Sequence, residues 1–125
     1  MGEINADAVE FDVGWPPSVN RYYRHVGYQV LISREGRKYR MMTVSRLGGR
    51  FAKLTGDVAF RAECYPPDRR RRDLDNILKS LQDSIVHAGV LADDCQIKLL
   101  HIEMKDPIPE GLVHVHITPL SAGSG

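Results

Sequence analysis

The sequence has few cysteines and no long hydrophobic run. Cys64 and Cys95 are its two cysteines, and they are too far apart to form a CxxC pair. No signal-peptide pattern, internal repeat or apolar stretch of membrane-spanning length is present. We therefore expect a soluble protein in a reducing, cytosolic compartment. Low-complexity sequence is limited to SAGSG at residues 121–125, which we predict to be a flexible tail.

The chain also lacks a large net charge. Its formal charge of +1 does not by itself indicate a nucleic-acid-binding protein, but the charges are unevenly distributed. Residues 1–14 contain four acidic and no basic residues, whereas residues 15–53 contain nine basic residues and one acidic residue. Residues 54–125 contain eight basic and eleven acidic residues. The middle segment can therefore present a basic surface to a polyanion.

The order of the apolar patterns predicts a single α+β domain over residues 1–120. The chain has 125 residues, 42% of them hydrophobic, which is enough for one core and too little for two. Alternating apolar residues predict strands, and apolar residues spaced three or four apart predict helices. We expect a mixed or antiparallel sheet of about five strands with two helices packed on it. The predicted strands cover residues 9–13, 27–33, 57–65, 96–104 and 111–119, and the helices run from a cap at Ser33 to about residue 47 and over residues 74–87.

The segment RRRRDLDNILK at residues 69–79 places four arginines directly before two aspartates. Asp73 precedes the predicted helix and Asp75 lies in its first turn, so the two carboxylates can converge at the helix start. Two close carboxylates repel each other unless a cation lies between them. Mg²⁺ is a suitable cation, because it prefers hard oxygen ligands and completes its shell with water and phosphate oxygens. The segment therefore indicates a magnesium site beside a phosphate-binding cluster.

A purely structural interpretation of the same segment exists. Asp73 is a suitable helix cap, and Asp75 lies where a negative charge favours the helix dipole. Asp75 and Lys79 are also an ordinary i,i+4 pair. The arginines favour the first interpretation, because the repulsion among four adjacent cations opposes an ordered loop unless an anion binds them.

Three blocks of the sequence resemble the RusA family of Holliday-junction resolvases. They are WPPSVNRYYRH at residues 15–25, PDRRRRDLDNILK at residues 67–79 and LADDCQI at residues 91–97. The resemblance spans most of the chain, and the RRRRDLDN element is its most specific part. The sequence departs from the family at Val90 and Leu91, which replace an aromatic block.

The resemblance implies a small homodimeric endodeoxyribonuclease that nicks two strands of a four-way DNA junction symmetrically. It implies Mg²⁺ as the cofactor, with Mn²⁺ as a substitute, and a cytoplasmic protein of bacterial, prophage or phage origin. Asp73, Asp75 and Asp94 match the family's essential aspartates and are the implied metal ligands and catalytic residues, and Lys79 matches its essential lysine. Asp93 stays as an alternative third ligand. Three carboxylates do not distinguish one metal ion from two.

The residues predicted to bind DNA come from the arginine cluster, the first block and the basic helix. Basic residues bind phosphates by charge, so affinity should depend on salt more than on base sequence. Tyr22 alternatively pins a hairpin, and the sequence does not separate the two roles. The predicted set is Arg69, Arg70, Arg71, Arg72, Asn76, Arg21, Tyr22, Arg24, Arg37 and Lys38, and Arg40 of the basic helix is expected to add to the same phosphate-binding surface.

A different class of function also stays open. In a non-catalytic DNA-binding module, the arginines would bind phosphates while the aspartates only cap a helix. Both hypotheses predict salt-sensitive binding. Cleavage of a four-way junction with and without Mg²⁺ separates them.

Overall fold

The computed structural model describes residues 8–120 and is a small α+β domain, as predicted. None of the helices in this range combines the length and apolar character needed to cross a lipid bilayer. The predicted tail at residues 121–125 lies outside the described residues. The elements in chain order are β1 (Val9–Val13), α1 (Val19–Tyr22), β2 (Tyr23–Val26), β3 (Gln29–Ile32), α2 (Arg34–Leu47), β4 (Val58–Tyr65), α3 (Asp75–His87), a 3₁₀ turn (Asp94–Gln96), β5 (Ile97–Met104) and β6 (Leu112–Pro119).

Four strands form the central mixed sheet, in the order β1-β6-β4-β5. Strand β6 pairs antiparallel with β1 and β4, whereas β5 runs parallel to β4. Along β4, buried residues alternate with more exposed ones, and Val58, Phe60, Ala62 and Cys64 are fully buried. One face of the sheet therefore packs against the core, while the other carries polar residues such as Arg61.

The predicted second strand, residues 27–33, does not belong to this sheet. It forms β3, which pairs antiparallel with β2 as a separate two-stranded hairpin. Gly27, with φ of +61°, allows the tight turn between the two strands. Val30 and Leu31 are exposed, so the apolar run that predicted a sheet strand does not enter the core. The prediction of about five strands in one sheet with two helices is therefore corrected to four strands, a hairpin and an additional short helix, α1.

Helix α2 begins at the predicted cap. The Ser33 Oγ accepts a hydrogen bond from the Gly36 N–H at 2.9 Å. Buried residues recur every three or four positions from Gly36 to Leu47. A Cβ at Gly36 would collide with the Tyr22 carbonyl oxygen, so the absence of a side chain lets α1 and α2 meet.

Helix α3 anchors the RRRRDLDN segment to the core. Ile77, Leu81 and Ile85 are buried, as their spacing predicts. Each buried side chain of this size stabilises the fold by about 2 kcal/mol. Asp75 and Lys79 lie on the exposed side of the same helix. The apolar stripe thus holds the charged side in a defined orientation.

Candidate active site and nucleic-acid groove

A broad groove of about 1730 Å³ runs between α2, the segment before α1 and the loop before α3. Three acidic residues line it, which are Glu35, Asp73 and Glu110. An excess of positive charge in a concave surface raises the local concentration of polyanions such as DNA. The basic residues in the lining number eight and are Arg21, Arg34, Arg37, Lys38, Arg46, Arg70, Arg71 and Arg72.

Most of the residues predicted to bind DNA lie in this groove. Arg24 and Arg69 lie outside its lining but are exposed. Arg34 and Arg46 line the groove although they were not among the predicted residues. The sequence feature that could have identified them is their helical spacing, because positions 34, 38, 42 and 46 are four residues apart and share one side of α2. The predicted residues in the lining are Arg21, Arg37, Lys38, Arg70, Arg71, Arg72 and Asn76.

The four arginines before α3 are not equally available to a ligand. The Arg72 side chain is only 17% exposed, and its guanidinium pairs with Asp68 at 2.8 Å. It also lies over the Trp15 ring, 5.7 Å from the centroid. Hydrogen bonds from the Arg70 N–H and then from the Arg72 guanidinium lower the pKa of Asp68. Arg72 therefore orders the loop, while the rest of the cluster is exposed.

Asp73 and Asp75 lie on either side of the start of α3. Asp75 is the first helical residue, and both side chains are exposed. The capping position is Leu74, which makes no side-chain capping bond, and the Asn76 N–H donates to the main-chain carbonyl of Asp73 at 3.1 Å. The capping interpretation of Asp73 therefore does not describe how this helix begins. Its carboxylate lies in the groove lining instead.

The segment after α3 returns to the same helix and brings Asp94 close to Lys79. Lys79 Nζ lies 3.8 Å from Asp94 Oδ2. Because Lys79 follows Asp75 by four residues, both lie on one side of α3, and Asp94 joins them there. The sequence alone did not show that the chain doubles back, whereas the structure does.

The buried side chain of Gln96 holds this return in place. Its Oε1 accepts hydrogen bonds from the N–H groups of Ala92 and Asp93, at 2.7 and 2.9 Å. Its Nε2 donates to two main-chain carbonyls of the segment before β4, at 2.9 and 2.7 Å. Gln96 thereby fixes the 3₁₀ turn that carries Asp94. Sequence analysis missed this role, although a glutamine three residues after Asp93 is a capping-box signal.

The two adjacent aspartates of this turn have different roles. The Asp93 carboxylate caps the turn by accepting a hydrogen bond from the Cys95 N–H at 3.2 Å. That bond is the main reason why the pKa of Asp93 lies below its ordinary value. Asp94 faces Lys79. This difference supports Asp94 rather than Asp93 as the third member of the predicted site.

Among residues 8–120, no three histidine, cysteine, aspartate or glutamate side chains are grouped closely enough to hold a metal ion by themselves. Asp73, Asp75 and Asp94 therefore do not form a closed cage. The donor chemistry nevertheless fits an open Mg²⁺ site, because Mg²⁺ takes one or two carboxylates and completes its shell with water and phosphate oxygens. Asp75 and Asp94 offer such oxygens on one side of α3.

Tyr22 lies inside the protein, which makes the prediction that it binds DNA wrong. Its side chain is fully buried. Its hydroxyl donates to the Asp83 carboxylate and lies 3.3 Å from the Ser84 Oγ. Burial, and secondarily the bond to Asp83, raises the pKa of Tyr22 to about 12. Tyr22 thus ties α1 to α3, which is a structural role but a different one from the hairpin contact that the sequence left open.

Comparison with known proteins identifies the family. The family model described as endodeoxyribonuclease RusA matches residues 14–118, which include all of the groove lining except Val13, the start of α3 and the turn with Asp94. The crossover junction endodeoxyribonuclease of Enterobacteria phage 82 is 42% identical over 99 residues, covering 78% of this chain and 82% of the relative. That of Enterobacteria phage HK97 is 38% identical over 126 aligned residues, covering 90% and 96%. That of Escherichia coli K12 is 40% identical over 99 residues, covering 78% and 82%. The chain therefore belongs to the RusA family of endodeoxyribonucleases.

Proposed function

We propose that this chain is an endodeoxyribonuclease that resolves four-way DNA junctions by nicking two strands symmetrically. One observation carries the proposal, which is the 3.8 Å approach of Lys79 to Asp94 beside the turn of α3 that begins at Asp75. This contact brings the sequence block at residues 67–79 together with the block at residues 91–97 on the protein surface. The relatives are named crossover junction endodeoxyribonucleases, and we extend that substrate to this chain.

Branched DNA would bind along the basic groove. Basic side chains of α2 line one part of it, and Arg70 and Arg71 line another. Neutralising DNA phosphates releases condensed counterions, which gives affinity without base-specific contacts. Because Asp73 also lies in the lining, a strand bound in the groove would pass close to the start of α3.

Asp73, Asp75 and Asp94 would hold a divalent metal ion, which we propose to be Mg²⁺, with Mn²⁺ as a substitute. When bound, such an ion lowers the pKa of a coordinated water and withdraws charge from the scissile phosphate. The protein's own contribution is to hold the carboxylates on the exposed side of α3. That exposure leaves room for water and for substrate oxygens.

Lys79 would act on the phosphate group of the substrate. Its ammonium has three donors, its side chain is 58% exposed, and its 3.8 Å contact with Asp94 is too long to saturate them. These donors are therefore available to a phosphate oxygen on which negative charge develops in the transition state. Asp94 would hold the ammonium in the orientation required for this contact.

We also propose that the protein acts as a C2 homodimer in the bacterial cytoplasm. A four-way junction has approximate two-fold symmetry and is cut on two strands, so two identical sites related by a two-fold axis match the substrate. The relatives are phage and bacterial proteins, which supports a gene of phage, prophage or bacterial origin.

The test of the proposed function is cleavage of an end-labelled four-way junction in Mg²⁺, Mn²⁺, Ca²⁺ or EDTA. We expect paired, symmetric nicks in Mg²⁺ and Mn²⁺. Ca²⁺ should support binding with little cutting, because its larger and looser shell misplaces the reacting water. Strong cleavage in EDTA would contradict the metal assignment. Junction binding without cutting under every metal condition would favour the non-catalytic DNA-binding module.

A further inference from the structure

We propose that Arg40 is a positioning residue that keeps Lys79 directed at Asp94, and that it does not bind phosphate. It belongs to α2, which supplies four of the eight basic residues in the groove lining, but Arg40 itself does not line the groove. The inference rests on the proposed function, because it assigns Arg40 to the same site.

The Arg40 guanidinium is engaged within the protein. Its Nη2 donates to Asp83 Oδ2 at 2.8 Å, and the two side chains are only 25% and 24% exposed. Its Nε donates to the Tyr22 hydroxyl at 3.4 Å, and that hydroxyl donates to the same carboxylate. The other carboxylate oxygen, Oδ1, lies 4.0 Å from His87 Nε2. Partial burial lowers the pKa of Arg40, but the bonds to Asp83 and Tyr22 outweigh it and raise the pKa.

Lys79 has a carboxylate one helical turn away in each direction along α3. Asp75 precedes it by four residues and Asp83 follows it by four, and i,i+4 residues are neighbours on one helix side. Its ion pair among the described residues is nevertheless with Asp94. Arg40 accounts for the absence of a pair between Lys79 and Asp83, because it neutralises that carboxylate and removes it as a competing partner for the lysine.

Loss of the Arg40 charge would leave Asp83 partly buried and without its cation. A half-covered carboxylate favours any cation within reach, and Lys79 is positioned to form the i,i+4 pair. That pair would draw the ammonium away from Asp94. Displacing a catalytic group by about 1 Å can reduce the rate by up to about a hundredfold. Removal of the Asp83 charge as well would remove the competitor and let Lys79 return.

The first test compares the wild type, Arg40→Gln and the double variant Arg40→Gln/Asp83→Asn in two assays. One is single-turnover junction cleavage at saturating protein in Mg²⁺, and the other is junction binding in Ca²⁺. Arg40→Gln should cut about tenfold more slowly with binding changed by less than about twofold, and the double variant should recover to within about threefold of the wild-type rate. Arg37→Gln changes an exposed arginine of the same helix and is the matched control, which should weaken binding without slowing the bound complex.

The second test does not depend on cleavage. A crystal structure of Arg40→Gln without DNA should place Lys79 Nζ closer to Asp83 than to Asp94, and the double variant should restore the contact with Asp94. If Arg40→Gln does not fold, the structure of Arg40→Lys is determined instead. It keeps a cation beside Asp83, so Lys79 should stay at Asp94 in its structure, and a shift of Lys79 to Asp83 would contradict the inference.

A double variant that cuts as slowly as Arg40→Gln would overturn the inference, because the loss would then come from packing. Weaker binding by Arg40→Gln with an unchanged rate for the bound complex would also overturn it, by assigning Arg40 to phosphate contact. The proposed function has its own control in Asp75→Asn. If that variant cuts as fast as the wild type, the proposed active site fails, whatever the Arg40 variants do.

Discussion

The carboxylates around α3 differ in the number of hydrogen bonds that they accept from other groups of the protein. Asp93 caps the 3₁₀ turn, and Asp83 accepts hydrogen bonds from Arg40 and Tyr22. Asp75 is exposed and accepts no hydrogen bond from any other residue in the range 8–120. A carboxylate at a helix start that has no structural partner is free to bind a ligand, which distinguishes Asp75 from Asp83 and Asp93 and is a property that it shares with Asp73.

We expect Asp75→Asn to abolish junction cleavage while binding is retained or becomes tighter. The substitution removes a proposed metal ligand and a negative charge near the DNA, so the rate should fall by about a thousandfold or more. Single-turnover cleavage and a gel-shift assay in Ca²⁺ measure the two effects. Asp93→Asn is the control, because asparagine can still cap the turn and should preserve cutting. Wild-type nicking by Asp75→Asn would contradict the assignment.

His114 allows a pH-dependent prediction on the face of the sheet opposite the core. It lies 2.6 Å from Asp12 and 3.3 Å from Glu10. The hydrogen bond to Asp12 is the main reason why the pKa of His114 is raised, and the bond to Glu10 adds to it despite partial burial. A histidine with a raised pKa in the folded state stabilises the fold fully below its unfolded pKa of about 6.5. That stabilisation is lost as the pH rises through the folded pKa.

His114→Gln should therefore lower Tm by a few degrees at about pH 5.5 and by less at about pH 8.5. The effect is small because the surface ion pairs are partly screened by solvent. Thermal unfolding at both pH values measures it, and His25→Gln on the exposed hairpin is the control. A larger destabilisation at the higher pH would show that the ion pairs do not stabilise the folded state.

Among the secondary-structure elements, those with one buried and one polar side were predictable. Alternation located β1, β4 and β6 to within one residue at their starts, and the aliphatic stripe located α3. Strand β5 also begins within one residue of its predicted start, although its burial does not alternate. The hairpin of β2 and β3 was misassigned because Val30 and Leu31 are apolar yet exposed. Composition does not show whether an apolar strand reaches the core, since tertiary contacts decide it.

Only the part of the candidate site that lies within one short segment of the sequence was predictable. Asp73 and Asp75 follow from helix geometry, because they are two residues apart at the start of α3. The approach of Asp94 depends on hydrogen bonds between Gln96 and main-chain groups about forty residues earlier in the sequence. The burial of Tyr22 likewise depends on a carboxylate far along the chain, at position 83. Spacing within a motif carries no information about such contacts.

The loop before α3 gives a prediction that separates two adjacent arginines. Arg72→Ala should lower Tm by a few degrees, because it removes the ion pair with Asp68 and the stacking on Trp15. Arg71→Ala should leave Tm unchanged and reduce the salt dependence of junction binding by about one unit of slope, as expected for one lost phosphate contact. Thermal melts and binding isotherms at several salt concentrations measure both. Equal effects of the two substitutions on Tm would refute this division of roles.

On the scale of the whole molecule, the fold separates the two signs of charge that the net value of +1 conceals. Basic side chains of α2 and of the loop before α3 meet in the groove. Acidic side chains of β1 and β4, Glu10, Asp12 and Glu63, lie with Arg61 on the face of the sheet opposite the core, near His114. A protein polarised in this way approaches DNA with one side, which orients the candidate active site toward the phosphates.

The last prediction concerns oligomeric state and substrate selectivity together. Basic side chains within residues 8–120 line the single groove described above, whereas a junction has two strands to cut, so a monomer would have to bind twice. A C2 dimer would combine two basic grooves and two sets of carboxylates into one surface, with highest affinity for branched DNA and a steep decrease in affinity with salt. Light scattering should give about twice the mass of one chain, and competition binding at constant salt should favour the junction over linear duplex of equal length. A stable monomer with equal affinity for both DNAs would refute the resolvase proposal, because the same positive charges bind duplex as well when no second groove fixes the geometry.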